Sequence, residues 1–122
     1  MAITDVIEFE LVVAGTSIGS SFNSPWQDVR YHNRGSIQAI WSGADATDAT
    51  IMPQASNNKV DWCNLASATT VKKVDGASGC QLYEFTDMGY SYWRIAFTAN
   101  TNTTGTIQII TVLKRDRGYG VP

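Results

Sequence analysis

A chain of 122 residues with 43% hydrophobic and 16% charged residues is one globular domain by size, long enough to bury roughly two thirds of its unfolded surface without staples. Its formal net charge of −2 supplies no general positive field for a phosphate backbone, so nucleic acid is not expected as a partner. No apolar run approaches a membrane span, and MAITDVIEFE carries acids where a secretion signal carries Lys or Arg, so a soluble protein made in a cytoplasm, with no membrane partner, is expected.

Along the chain the apolar period is two far more often than 3.6, the mark of half-buried strands. Phe9, Leu11 and Val13 alternate with polar neighbours and predict the first strand. Turn-forming clusters follow at Asn23 to Pro25 and at His32 to Gly35, and the next strand carries Ile37, Ala39 and Trp41. After a polar SGADATD turn comes a strand containing Pro53; because proline cannot donate to a ladder, that strand is expected to be an edge or to carry a bulge. Gln54 to Trp62 reads as a β-hairpin, with Asn57 and Asn58 taking positive φ and the Trp62 ring folding over the sheet. Beyond DGASG, the segment GYSYWRI opens a strand with Trp93, Ile95 and Phe97 on one face and Arg94 on the other, where it can stack on a tyrosine or pair with an acid. The turn TANTNTTG leads to a last strand carrying Ile107, Ile109 and Leu113, and KRDRGYGVP reads as a tail.

About eight or nine short strands at this spacing, with no helix, repeat or linker, predict an all-β antiparallel sandwich or jelly roll over residues 1–114, followed by a short tail at 115–122. Ile37, Trp41, Trp93, Ile95, Phe97 and Ile109 are the expected core.

Chemistry-bearing patterns are sparse. Gly15-Thr16-Ser17-Ile18-Gly19 matches G-x-S-x-G, but SSFNSPW is no helix and the lone His32 follows too closely, so Ser17 reads as a turn residue and no catalytic role is expected. Cys63 and Cys80 lack C-x-x-C spacing and are expected to be buried apolar residues; with His32 they make at most three soft ligands, so no metal or other cofactor is expected. Asp45, Asp48, Asp61, Asp75 and Asp87 sit in or beside turns, where acids usually solvate a surface, and DATD lacks the dense alternation of a calcium loop. Asn102-Thr103-Thr104 fits a glycosylation acceptor, idle in a chain without a secretion signal. Among the tryptophans, Trp26 and Trp62 follow turns and are the two placed to meet a ligand.

The order GSIQAIWSGADATDATIMPQASNNKVDWCNL, then GCQLYEFTDMGYSYWRIAFTANTNTTGTIQIITVLK, resembles a family of small β-sandwich virion structural proteins of tailed bacteriophages. The likeness runs from VVAGTSI to Lys114 and rests on a Q-x-S-N-D-x-x-x-W-like turn and a GY-x-Y-x-R strand. Here Asn58-Lys59 replaces the Asp-Gly common in that turn. The resemblance implies a non-enzymatic capsid decoration or accessory protein, made in the host cytoplasm, residing in the virion, and bound to other virion proteins and to copies of itself as a homo-oligomer. A weaker similarity to discoidin-like carbohydrate-binding sandwiches implies the alternative, a module that contacts host glycans through Trp26, Trp62 or tyrosines. Interaction candidates are Trp26, Trp62, Tyr92 and Arg94. To these the basic end adds Lys114, Arg115, Arg117 and Tyr119, set against the acidic start with Asp5, Glu8 and Glu10.

Overall fold

The structure is a computed structural model that describes residues 4–66, 69–70 and 77–116. Its strands are β1 (Thr4–Ser17), β2 (Phe22–Asn23), β3 (Gln27–Asp28), β4 (Arg34–Ser42), β5 (Thr50–Ser56), β6 (Cys63–Asn64), β7 (Thr69–Thr70), β8 (Gly79–Phe85), β9 (Tyr92–Thr98) and β10 (Thr106–Asp116), with no helix among the described residues. Two antiparallel sheets pack face to face as a β-sandwich: a four-stranded sheet ordered β1-β10-β4-β8, and a six-stranded sheet ordered β2-β9-β5-β6, with β3 also on β9 and β7 also on β5.

Alternation sets the core. Ile37, Ala39 and Trp41 of β4 and Ile107, Ile109 and Leu113 of β10 turn inward to meet Ile51, Trp93, Ile95 and Phe97 of the second sheet, and all ten are buried. The six residues expected as core are therefore where the period of two puts them. β1 departs from its pattern. Leu11 is buried, but Phe9 is 48% and Val13 61% exposed. The β1–β10 register shifts between Glu10 and Val12, and at this bulge Leu11 and Val12 both turn in, which ends the simple alternation.

The two prolines in the second sheet stand where the ladder is broken. β2 and β3 are one edge strand along β9, interrupted at Pro25; across the break Ser24 donates its N–H to the Ile95 carbonyl at 2.8 Å and its Oγ accepts the Ile95 N–H at 2.8 Å. β5 lies inside the sheet rather than at its edge. Its outer partner is discontinuous, β6 pairing with Gln54 and Ala55 and β7 with Thr50 and Ile51. Pro53 falls between them with its carbonyl accepting the Leu65 N–H at 2.8 Å, so its missing donor faces the gap.

Two expectations about single residues are corrected. Cys63 and Cys80 are free thiols but exposed, Cys63 on the short β6 and Cys80 on the outward face of β8. Asp45 and Asp48 are not merely solvated loop acids. The Asp45 carboxylate accepts the Thr103 N–H at 2.8 Å and the Thr103 hydroxyl, and Asp48 accepts the Thr101 hydroxyl at 2.8 and 2.7 Å, clasping the β4–β5 loop to the β9–β10 loop.

At the base of that clasp Gly105 has φ +106°, and a Cβ there would stand 2.6 Å from the Ser42 carbonyl oxygen and 2.9 Å from the Gly43 carbonyl carbon. Gly105→Ala combines left-handed strain with a backbone clash and is expected to lower stability by about 1–3 kcal/mol, read as a lower urea midpoint with unchanged slope.

Candidate functional site

The outward face of the second sheet carries the densest group of side chains suited to recognition. In β9, Tyr92 and Arg94 stand on the face opposite the buried Trp93 and Ile95. Because Pro25 breaks the edge strand, Trp26 leaves the ladder and comes over the sheet, edge-on to Tyr92 with centroids 5.2 Å apart; the residue remains 47% exposed. The β5–β6 turn brings a cation to the same place. Ser56 Oγ accepts the N–H groups of Asn58 and Lys59 at 3.1 and 3.0 Å, and Asn58 Oδ1 accepts those of Val60 and Asp61, both at 2.9 Å. Within this turn it is Lys59, not Asn57 or Asn58, that takes positive φ, at 64°. The Lys59 ammonium then lies 4.1 Å from the Trp26 ring centroid and 4.8 Å from that of Tyr92.

A second cation flanks the first. Arg94 places its guanidinium 4.4 Å over the Trp62 ring and donates from Nε to Gln54 Oε1 at 3.0 Å, while Gln54 Nε2 donates to Asn64 Oδ1 at 3.0 Å. Partial burial holds the Arg94 guanidinium below its ordinary pKa. On the far side of Tyr92, Arg30 sits 5.5 Å over the ring and forms a forked pair with Asp28, closest at Nη2–Oδ2, 2.6 Å.

The hydrogen bonds from Arg30, with a smaller Coulombic contribution from Lys59, hold the Asp28 carboxyl below its ordinary value of 3.8. A depressed carboxylate stabilises the fold above its unfolded pKa, and that contribution disappears as pH falls through the folded one. Asp28→Asn is therefore expected to lower the melting temperature slightly at pH 7, with the gap to the parent closing below pH 3.8. A solvent-screened surface pair contributes under about 1 kcal/mol, so differential scanning calorimetry should show a small shift.

Four interaction candidates, Trp26, Trp62, Tyr92 and Arg94, thus gather on one face. Lys114 and Arg115 lie elsewhere, on β10 of the first sheet. Lys114 borders a shallow recess with Arg34, Ser36 and Glu84, and Arg115 borders one with Arg30, Tyr31 and His32. β10 continues through Asp116 and pairs Asp5 with Arg115 and Val6 with Lys114, so the acidic and basic ends run side by side in one sheet. Arg117 and Tyr119 lie outside the described residues. Ser17 ends β1 and its Oγ accepts the Gly19 N–H at 3.1 Å; His32 occupies a turn with its N–H on the Val29 carbonyl at 3.1 Å. Lys59, Arg30, Asp28 and Gln54 belong to the site without having been singled out by sequence.

No protein-family model matches the chain, and no curated protein is similar to it in sequence. Its fold is similar to that of the SPBc2 prophage-derived protein YomS. The TM-score with the YomS crystal structure is 0.60, over 92% of this chain and 95% of YomS, at 15% identity. At that identity the likeness is one of fold.

Proposed function

We propose that the protein is a non-enzymatic structural component of a bacteriophage virion, a decoration or accessory subunit that attaches to other particle proteins and to neighbouring copies of itself. The observation that carries this reading is the apolar edge of the first sheet. β1 spans 14 residues at the edge of that sheet and exposes Val6, Ile7, Phe9 and Val13. Long edge strands that keep apolar side chains in water are pairing and docking surfaces, which proteins otherwise blunt with charge, proline or a covering loop. Support for a phage setting comes from the fold likeness to a prophage-derived protein. Arg117 and Tyr119 remain proposed as additional contacts of the basic end, with a buried tyrosine supplying affinity and the rim charges supplying salt dependence.

Co-sedimentation with purified particles of the encoding phage tests the reading. The parent chain should saturate a fixed number of sites, whereas Ile7→Lys with Phe9→Lys should remove binding and leave the far-ultraviolet spectrum unchanged. Equal occupancy by parent and variant, or no occupancy by the parent, would overturn it.

A further inference from the structure

The cation–aromatic face lies on the sheet opposite to the edge proposed for particle contact, and it is built for another kind of ligand. Arg94 and Lys59 have no carboxylate within ion-pair distance among the described residues, in contrast to Arg30, whose charge Asp28 answers. Both are nonetheless fixed in place. Arg94 is clamped between Trp62 and the Gln54 carbonyl, and Lys59 is held on two rings by a turn that forces a non-glycine residue to φ 64°. A non-glycine backbone held in the left-handed region costs on the order of 1–2 kcal/mol, a strain that positioned functional groups commonly carry. Tyr92 and Arg94 alternate along one strand face, about 7 Å apart at their Cα atoms, so the two cations are neighbours on a flat surface.

We propose that this face binds a carboxylate-bearing polysaccharide, with Arg94 and Lys59 meeting sugar carboxylates and Trp26 and the Gln54–Asn64 amides meeting the sugar rings and hydroxyls. Charge complementarity selects the acid: two cations without an ion-paired carboxylate among the described residues stand together on a chain whose net charge is −2. The surroundings select the sugar. The half-exposed Trp26 ring offers a stacking surface, and Gln54 and Asn64 offer amide groups beside the guanidinium. An acidic peptide would instead seek a pocket for a buried anchor. Arg94, Lys59, Trp26 and Trp62 do not line the recess formed by Arg30, Tyr31, His32, Asn33, Met88 and Arg115, which adjoins the site only at Arg30.

Affinity electrophoresis of the full chain through gels containing polygalacturonate, hyaluronate, polysialic acid, methyl-esterified polygalacturonate, dextran or poly-L-glutamate tests the assignment. At least one of the three acidic polysaccharides should retard the protein, and the ester and dextran should not. Arg94→Gln and Lys59→Gln should each weaken binding about tenfold or more, the loss typical of a charge-assisted hydrogen bond. Arg94→Lys should fall between parent and Gln, because it keeps the charge but not the planar stack on Trp62. Trp26→Ala, on a different element, should also weaken binding. Retardation by none of the acidic polysaccharides, equally tight binding to poly-L-glutamate, or affinity unchanged in folded Arg94→Gln and Lys59→Gln would overturn the proposal.

Discussion

Trp93→Ala is expected to destabilise the protein by about 3–5 kcal/mol, the range for emptying a large aromatic from a close-packed core. The side chain is 0% exposed and lies edge-to-face against Phe85 with centroids 5.9 Å apart. It also anchors a polar bridge through the interior: Trp93 Nε1 donates to Gln27 Oε1 at 2.7 Å, and the same oxygen accepts the Thr111 hydroxyl at 2.8 Å. β3 carries Gln27 in one sheet and β10 carries Thr111 in the other, so this oxygen ties the two layers together. Truncation leaves both a cavity and a weakened bridge. Urea titration should show the midpoint fall steeply, and the melting temperature should drop by at least about 10 °C in a domain of this size. Trp93→Phe separates the two effects. It refills most of the volume and leaves Thr111 on Gln27, so less than half the loss is expected. A variant Trp93→Ala within 1 kcal/mol of the parent, on the order of ordinary surface substitutions, would contradict this account of the core.

Asn102→Leu is expected to cost about 3 kcal/mol or more although it adds apolar volume to a buried site. The Asn102 side chain is 1% exposed and uses its whole amide: Oδ1 accepts the N–H groups of Asp45 and Ala46 at 2.9 and 3.2 Å, and Nδ2 donates to the carbonyls of Ile18 and Thr104 at 2.7 and 2.8 Å. Leucine strands two donors and two acceptors where water is largely excluded, each costing about 1–3 kcal/mol when left alone, with part of that recovered by relaxation. Asn102→Asp keeps the two acceptances but faces two carbonyl oxygens with no donor, so it should also be strongly destabilising at pH 7. Thermal unfolding of both variants against Thr104→Ala, which loses one hydroxyl bond to the Gly43 carbonyl, checks the ranking. The same burial removes Asn102-Thr103-Thr104 from use as a glycosylation acceptor in the folded chain.

What the sequence made legible follows from how local each signal is. Strict alternation over Ile37 to Trp41 and Trp93 to Phe97 identified buried faces, because the side-chain period of a strand is fixed by its backbone. The same parity put Arg94 opposite Trp93, but its partner is the Trp62 ring rather than the tyrosine or acid expected. Lys59 was not legible. A lysine in a turn ordinarily solvates, and its position on Trp26 depends on a proline break 34 residues earlier in the chain, at Pro25, and on β2 and β3 lying beside β9. The sole local trace was a serine followed by two asparagines, the residues that build Asx-type turns. At Val13 the alternation expected of β1 failed for a related reason, since the bulge after Glu10 reverses parity without any glycine or proline to announce it. The cysteines misled because burial frequency describes a residue type, and the short β6 and the outward face of β8 had room only for exposure.

The place of β10 in the first sheet also governs when this protein can fold. β10 is the last strand in chain order, yet it lies between β1 and β4 and is the partner on which β1 depends. During synthesis the first strand must therefore wait, with Val6, Ile7, Phe9 and Val13 unpaired, until more than a hundred later residues have left the ribosome. At about 5–20 residues per second that is an interval of several seconds or longer. Closing so long a loop before any contact repays it also favours the millisecond-to-second folding of non-local β topologies. The strand proposed above as a docking edge is thus the strand longest at risk of pairing with another molecule before the domain exists.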